Sequence, residues 1–316
     1  MILIAGIPSE PPVALAIEAA RQRGIGHVVF DQRHHRESEI VLSLEPAVGL
    51  RGRLTCPAGE IDLAALTGAY VRLMDERFLP DVAGEAADAP ARARSTGLHA
   101  LLHDWLNVAG ARIANRPSSM LSNVSKTYQT SIIRRCGLAI PETIVTNDPE
   151  EALRFVSHCR STGDDVIYKS VSGIRSIVQT FSESDRERIG RIRWCPTQFQ
   201  RKVRGHDVRV HVVGRRVFAT RIESSATDYR YAQSQSGSDA QLSPTTLPRW
   251  LERACIDLAN SLDLPFAGID LRLTETDDPV CFEVNPCPAY SYYESRTGVP
   301  IADALVGWLA DTESLA

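Results

Sequence analysis

The sequence predicts an α/β protein, because strand and helix patterns alternate at its start and again in its second half. An apolar run at residues 2–7 is followed by a helix pattern at 11–23, which has prolines at its start and Gly24 beyond its end. A second apolar run lies at 28–31. A strand–helix–strand opening of this kind usually belongs to an open α/β sheet. The first strand is not followed by the glycine pattern of a dinucleotide fingerprint, so we predict no nicotinamide site.

The next elements follow from local signals in chain order. A small-residue, acidic, proline-bearing stretch at 80–95 predicts a loop that leads into a helix over 98–108. The later predictions are a lobe boundary at Asn115-Arg116-Pro117, a helix over 124–136 closed by Gly137, a helix over 149–160 capped by Asp148, strands over 166–169 and 177–181, a helix over 247–262, and strands over 267–273 and 280–285. This alternation predicts α+β lobes in the second half of the chain.

The clearest strand pattern covers residues 207–213. Strict alternation places one set of side chains on the core face and the other set on the opposite face. The core set is Val208, Val210 and Val212, and the opposite set is Asp207, Arg209 and His211. Gly214 then turns the chain into a second strand over 217–222, which predicts a hairpin.

Bulk composition excludes several classes of protein. A chain of 316 residues predicts two or three lobes. The net charge of −4 argues against a general nucleic-acid binder. Seven scattered cysteines without a Cys-x-x-Cys pair indicate reduced thiols rather than a disulfide framework or a zinc site. The sequence shows neither a basic leader nor 18 consecutive apolar residues, so we expect a cytoplasmic protein without a membrane segment.

The last two predicted strands offer a candidate metal site. Glu283 and Asn285 are two residues apart and share one strand face, as do Asp270 and Arg272. If the two strands pair as a hairpin, these groups meet on one surface. Carboxylate and amide oxygens suit Mg²⁺, which takes few protein ligands and completes its shell with water and phosphate. The alternative is a solvated polar face of an amphipathic strand.

Two lysines are candidates for phosphate binding. Lys169 ends an apolar strand and precedes a turn containing Ser172 and Gly173, so its ammonium group and the N–H groups of the turn could hold a phosphate. Lys126 lies on the helix over 124–136. The alternative for both residues is an exposed, solvated side chain.

Arginines and aromatic residues near these positions leave further alternatives open. Arg221, Arg230 and Arg272 could bind an acyl phosphate or a carboxylate, but a chain with 35 lysines and arginines also places some there by chance. His211 is read as a structural hydrogen bonder. The run at 290–294 either lines an acceptor pocket or packs against the C-terminal helix.

Seven short motifs occur in a fixed order along residues 112–310. They are Asn115-Arg116-Pro117, Ser125-Lys126, Ile167-Tyr168-Lys169-Ser170, Gln200-Arg201-Lys202-Val203, Gly205-His206-Asp207-Val208-Arg209, Ala267-Gly268-Ile269-Asp270 and Phe282-Glu283-Val284-Asn285-Pro286. Together this set resembles the ATP-grasp superfamily, and most of all its RimK-type branch of glutamate ligases and microviridin-like (graspetide) peptide ligases. The resemblance implies an ATP-grasp fold with an N-terminal preATP-grasp α/β domain.

The resemblance also implies a role for each matching residue. ATP would be bound by Lys126, Lys169, Ser172, Gly173, Gln200, Arg201, Lys202, Val203 and Asp207. Asp270, Glu283 and Asn285 would hold Mg, with Mn as an alternative metal. Arg209, Arg221, Arg230 and Arg272 would face the transferred phosphoryl group and the acceptor, and 227–230 resembles the Asp-aromatic-Arg segment of the peptide-modifying ligases. Two features depart from the pattern: Arg201 stands where relatives often carry an acidic residue, and the phosphate loop is poor in glycine.

The domains and activity implied by the resemblance complete the prediction. A preATP-grasp domain would span 1–115, a central ATP-grasp lobe 116–197 and a C-terminal lobe 198–316. The implied reaction joins a carboxylate to an amine or a hydroxyl group through an acyl phosphate. The acceptor would be a peptide, a free amino acid or a small acid. Formation of a homo-oligomer is left as an open alternative. A kinase, a non-catalytic ATP-binding regulator and, more remotely, a redox enzyme are the alternatives.

Overall fold

The computed structural model describes residues 1–46, 49–86, 88–170, 178–224, 237, 239–276 and 278–311. Its strands are β1 Ile2–Gly6, β2 His27–Asp31, β3 Glu39–Glu45, β4 Gly49–Cys56, β5 Gly59–Asp62, β6 Gly68–Arg72, β7 Arg112–Ala114, β8 Thr143–Thr146, β9 Val166–Ser170, β10 Gln179–Thr180, β11 Thr197–Arg201, β12 His206–Val213, β13 Arg216–Glu223, β14 Gln241–Thr245, β15 Phe266–Leu273 and β16 Pro279–Asn285. Its α-helices are α1 Pro11–Gln22, α2 Pro90–Val108, α3 Pro117–Met120, α4 Lys126–Arg135, α5 Pro149–Ser161, α6 Glu183–Arg188, α7 Arg249–Ser261, α8 Ser291–Thr297 and α9 Ile301–Leu309.

The N-terminal part is built on a parallel sheet with the order β2-β1-β6-β7. Ile2 and Ile4 point to one face and pack with α1 and α9. Leu3 and Ala5 point to the other face and pack with α2 and the antiparallel sheet β3-β4-β5. Because β1 is buried on both faces, it reads as a continuous apolar run, and the predicted strand–helix–strand opening is confirmed.

Helix α2 begins earlier than the sequence analysis expects. It starts at Pro90 instead of residue 98 and continues to Val108. Proline at the first helical position is favoured, because its φ is already helical and its missing N–H has no partner to lose there. The predicted loop is therefore shorter at its C-terminal end. The antiparallel sheet β3-β4-β5 was also not predicted, although its edge strand β3 contains the short apolar run Ile40-Val41-Leu42.

A second sheet, antiparallel with the order β10-β9-β11-β8, forms the central part. Helix α5 covers it, with Ala152 and Val156 packed against Val166 and Phe199. The predicted cap is present, since the Asp148 carboxylate accepts a hydrogen bond of 2.9 Å from the Glu150 N–H.

The third large sheet is antiparallel with the order β14-β13-β12-β15-β16. Val208, Val210 and Val212 pack on α7, which confirms the core face predicted for β12. The predicted β12–β13 and β15–β16 hairpins are also confirmed. Helix α9, at the C-terminal end of the described chain, packs against the N-terminal sheet and α1. The N-terminal and C-terminal parts therefore share a core, and the predicted lobe boundaries at 115 and 197 stay predictions. Within the described ranges, no helix is both long and apolar enough to cross a membrane.

Candidate active site

A cleft of about 1330 Å³ opens between the central and C-terminal sheets. Its walls come from β9 and β11 on one side and from β12, β15 and β16 on the other, with α4 and the end of β6 at its margin. A typical ligand pocket has a volume of roughly 300–1,000 Å³. The cleft therefore has room for more than one small ligand.

The β15–β16 hairpin brings the predicted metal ligands together. Asp270 lies directly opposite Glu283, and Asn285 lies opposite Gly268. A β-bulge follows Asp270 and leaves Phe282 as the extra residue, so the two carboxylates remain on one face of the sheet. The Oδ1 atom of Asn285 accepts a hydrogen bond of 2.9 Å from the backbone N–H of Cys287, which orients its amide.

Both predicted phosphate lysines meet the Glu283 carboxylate. Its Oε2 atom lies 3.0 Å from the ammonium nitrogen of Lys126 and 3.8 Å from that of Lys169. Burial pushes the pKa of Glu283 upward, but the positive charges of Lys169, Lys126 and Arg209 outweigh it and hold the pKa below its ordinary value. The carboxylate therefore stays ionised, while two ammonium groups share this one anion.

The chain has few lysine residues, and all of them line the cleft. The sequence contains only Lys126, Lys169 and Lys202 among its 35 lysines and arginines, and all three line the cleft. An ammonium group is a compact charge suited to phosphate oxygens, whereas arginine serves the many surface ion pairs. The small number of lysines was a signal visible in the sequence alone.

Arg209 lies against the strand that carries Asp270. Its side chain is 6% exposed and pairs with the Asp270 carboxylate. A Cβ atom on Gly268 would lie only 2.6 Å from the Arg209 Nη2 atom. Glycine at this position therefore leaves room for the guanidinium group beside the Asp270 carboxylate.

The segment after β11 forms the end of the cleft farthest from Asn285 along the sheet. Gln200, Lys202 and Val203 line it, and the backbone N–H of Val203 makes no hydrogen bond within the described part of the chain. Arg272 stabilises this segment, because it donates to the Val203 carbonyl at 2.7 Å and pairs with Asp207 at 2.6 Å.

Arg201 and Arg221 do not line the cleft. Arg201 pairs with Glu142 and Asp164 on the outer side of β11, because alternate side chains of a strand point to opposite faces. Arg221 lies opposite Val208, on the face away from Arg209, so its expected approach to a phosphoryl group is not met. Arg272 does line the cleft, but its guanidinium group is engaged by Asp207. Three other predicted residues, Ser172, Gly173 and Arg230, lie outside the described residues.

The tyrosine run is divided between the core and the cleft. Tyr290 is fully buried, and its hydroxyl donates to the Pro12 carbonyl at 2.6 Å. Tyr292 and Tyr293 instead line the cleft. His211 is also fully buried, edge-on to Tyr293 at a centroid distance of 4.9 Å, and burial followed by the charge of Arg209 lowers its pKa. Neither of its ring nitrogens has a hydrogen-bond partner among the described residues, so it is a buried packing residue there, contrary to its predicted role as a hydrogen bonder.

Two buried amides that the sequence analysis did not assign to the site hold its frame. Gln129 donates to the Val284 carbonyl at 2.6 Å and accepts from the Val284 N–H at 2.9 Å, so it fixes β16 to the helix that carries Lys126. Asn115 donates to the carbonyls of Phe266 and Pro286 and accepts from the Phe266 N–H, which joins the start of β15 to the end of β16. Only the position of Asn115, in a predicted lobe boundary, drew attention to it.

The donor set fits Mg²⁺. Two carboxylates and one amide oxygen lie on adjacent strands, and no described group combines three or more His, Cys, Asp or Glu side chains in a metal-binding arrangement. Mg²⁺ commonly uses one or two carboxylates together with water and phosphate oxygens, whereas structural zinc needs four nitrogen or sulfur ligands.

Comparison with known proteins places this geometry in a family. The model of the RimK-like ATP-grasp domain matches residues 124–309. Human N-acetylaspartylglutamate synthase A is 26% identical over 239 residues, covering 72% of this chain and 59% of that protein. A probable alpha-L-glutamate ligase of Cellvibrio japonicus is 28% identical over 202 residues, covering 59% of this chain and 63% of that protein. The chain thus spans about three fifths of the length of these curated relatives.

Solved structures resemble the chain over nearly its whole length. The ATP-grasp ligase PsnB, complexed with minimal precursor, Mg and ADP, is 27% identical with a TM-score of 0.75, covering 98% of this chain and 97% of that chain. The macrocyclase MdnC of Microcystis aeruginosa, bound with the precursor peptide MdnA, is 20% identical with a TM-score of 0.79, covering 99% and 100%. The second likeness supports the fold alone.

Proposed function

The chain belongs to the RimK-like ATP-grasp family, and on that premise we propose that it is an ATP- and Mg-dependent ligase that joins a carboxylate to an amine or a hydroxyl group. The observation that carries the proposal is the convergence of Lys126 and Lys169 on Glu283, beside Asp270 and Asn285. A cluster of this kind can hold a polyphosphate and a divalent cation at one place.

The nucleotide would lie along the cleft. The N–H of Val203, which has no partner in the described part of the chain, would be available to the base, and the lysines would be available to the phosphates. Asp270, Glu283 and Asn285 would hold Mg, which would neutralise phosphate charge and orient the phosphoryl group. Arg209 is fixed by Asp270 and keeps a further positive charge next to the phosphates.

The reaction would consist of two displacements. A carboxylate oxygen of the substrate forms a bond to the γ-phosphorus, the bond from that phosphorus to the β–γ bridging oxygen breaks, and ADP leaves. An amine nitrogen or a hydroxyl oxygen then forms a bond to the acyl carbon and loses its proton. The bond from that carbon to the phosphate oxygen breaks, and phosphate leaves. The lysines and Arg209 favour the first step because they stabilise charge on the transferred group.

A peptide is the substrate that we favour. PsnB, at 27% identity, is complexed with a minimal precursor, Mg and ADP. The cleft volume of about 1330 Å³ also exceeds the needs of a nucleotide alone. The curated relatives named glutamate ligases make a free amino acid the second candidate.

Hydroxylamine trapping tests the proposal, because hydroxylamine converts an acyl phosphate into a stable hydroxamate. The protein is incubated with MgATP, hydroxylamine and a panel of acidic peptides and amino acids, and ADP and hydroxamate are measured. We expect both products in equal amounts with wild type, at least a hundredfold less with Glu283→Gln, and no change with the exposed control Glu18→Gln. Phosphorylated product without hydroxamate would indicate a kinase, and nucleotide binding without turnover would indicate a regulator.

A further inference from the structure

The N-terminal parallel sheet borders the cleft at Arg72, the last residue of β6. In the order β2-β1-β6-β7, the chain leaves β1 toward β2 on one side and later returns to β6 on the other. In open α/β sheets, ligands bind at the carboxyl ends of the strands where the order reverses in this way. Here that point lies between Gly6, at the end of β1, and Arg72, at the end of β6. A Cβ on Gly6 would lie 2.8 Å from the Arg72 carbonyl, so the two strand ends approach closely.

Arg72 has an unused hydrogen-bonding edge at this point of the sheet. Its Nε donates to Glu10 at 2.7 Å, and its Nη1 lies 3.3 Å from the carbonyls of Cys287 and Pro288. Its Nη1 also donates to the Cys287 Sγ atom at 3.0 Å. Among the described residues its Nη2 has no hydrogen-bond partner, and Arg72 lines the cleft. A guanidinium group has five donors, so two N–H groups are left for an anion.

The contacts of Arg72 place it beside the candidate metal site. The Cys287 carbonyl that it contacts belongs to the residue whose N–H donates to Asn285 at 2.9 Å. Tyr292 and Arg209 also line the cleft. An anion held by Arg72 would therefore lie next to the phosphoryl group, at the end opposite the segment after β11.

We propose that Arg72 is a specificity-determining residue that anchors a carboxylate of the substrate at this point of the sheet. The proposal rests on the proposed function for the reaction, but the binding itself does not require turnover. Arginine suits the role because its planar fork can bind both oxygens of a carboxylate. Glu10 partly neutralises Arg72, which limits the affinity and keeps the anchor selective for substrates that make further contacts.

Binding of glutarate tests the anchor. Glutarate carries two identical carboxylates, and glutaramide has the same shape without charge. Binding of each is measured by calorimetry on the full chain with MgADP present. We expect wild type to bind glutarate and not glutaramide, Arg72→Gln to weaken glutarate binding at least tenfold, and the exposed helical control Arg21→Gln to leave it unchanged. Arg72→Lys, which keeps the charge and loses the fork, should weaken it by a smaller factor, and it replaces Arg72→Gln if that variant does not fold.

Glu10→Gln separates an anchor from a merely structural ion pair. Removing the partner leaves the Arg72 charge uncompensated, so we expect glutarate to bind at least threefold more tightly. Weaker binding in both Glu10→Gln and Arg72→Gln, equal binding in wild type and Arg72→Gln, or no binding to wild type would overturn the inference.

Hydroxamate formation from glutarate distinguishes this failure from failure of the proposed function. Glutarate bound through Arg72, with no hydroxamate from glutarate or from the panel of acidic peptides and amino acids, would leave the anchor standing and refute the ligase. Hydroxamate formed with the same KM by wild type and Arg72→Gln would refute the anchor and leave the ligase standing.

Discussion

Replacing Gln129 by leucine should destabilise the protein and loosen the nucleotide site together. Gln129 is 1% exposed, and its amide pairs with both backbone groups of Val284, which is itself fully buried. Leucine has a similar size but leaves a buried N–H and a buried carbonyl without partners. Each such group costs roughly 1–3 kcal/mol, and the extra apolar contact recovers part of this, so we expect a net loss of about 2–4 kcal/mol.

The same substitution should weaken nucleotide binding. Lys126 lies one helical turn before Gln129, and its distance of 3.0 Å from Glu283 depends on the junction between α4 and β16. We expect the Kd for MgADP to rise about tenfold, which corresponds to about 1.4 kcal/mol. The measurements are urea denaturation and calorimetry, with the exposed Gln22→Leu as the control.

Gln129→Glu provides a pH-dependent check on the same junction. The introduced carboxylate would accept from the Val284 N–H but repel the Val284 carbonyl, and burial should raise its folded-state pKa above the ordinary value of about 4.3. Stability would then be highest below about pH 4.3 and fall as the pH rises through the folded-state pKa, relative to wild type. The reasoning is refuted if Gln129→Leu loses less than about 1 kcal/mol of stability and binds MgADP as wild type does.

Three further outcomes are expected. Gly268→Ala should displace the Arg209 guanidinium group, which the new Cβ would approach to 2.6 Å, and reduce the turnover rate at least tenfold with little change in the far-UV circular dichroism spectrum. Gly205→Ala should destabilise the chain by about 3 kcal/mol or more in urea titrations, because φ is +138° and the Cβ would lie 2.0 Å from the Leu273 carbonyl oxygen. Burial and the nearby charge of His99 lower the pKa of His103 to about 4. When the pH falls from 6.5 to 4, wild type should therefore lose on the order of 1–3 kcal/mol more stability than the His103→Leu variant does. The sign follows because the unfolded state binds the proton more readily in that window; an equal pH dependence of the two proteins would contradict it.

The elements with strong local periodicity were predictable from the sequence. The alternation in β12 and the glycine that ends it identified the hairpin and its core face, because side-chain direction in a strand repeats every two residues. The i, i+2 spacing of Glu283 and Asn285 likewise placed them on one face. These patterns depend only on neighbouring residues, so no knowledge of distant contacts was needed.

The resemblance to the ATP-grasp superfamily predicted more than the local patterns did, because it rests on the order of several short motifs along the chain. The family model matches residues 124–309. It did not decide which side chains reach the cleft. Arg201 belongs to a matching motif, yet it points outward to Glu142 and Asp164. Strand alternation places Gln200 and Arg201 on opposite faces of β11, but which face borders the cleft depends on how the sheets pack against each other.

The sequence by itself determined the α/β alternation, the carboxylates of the candidate metal site, and the lysines that line the cleft. The tertiary structure alone decided that Lys126 and Lys169 share Glu283, that Gln129 joins α4 to β16, and that Arg72 reaches the cleft from another sheet. The partners in these contacts are separated by more than a hundred residues, and periodicity carries no information over such distances. Hydrogen bonding of buried backbone groups and pairing of buried charges select them only when the chain has folded.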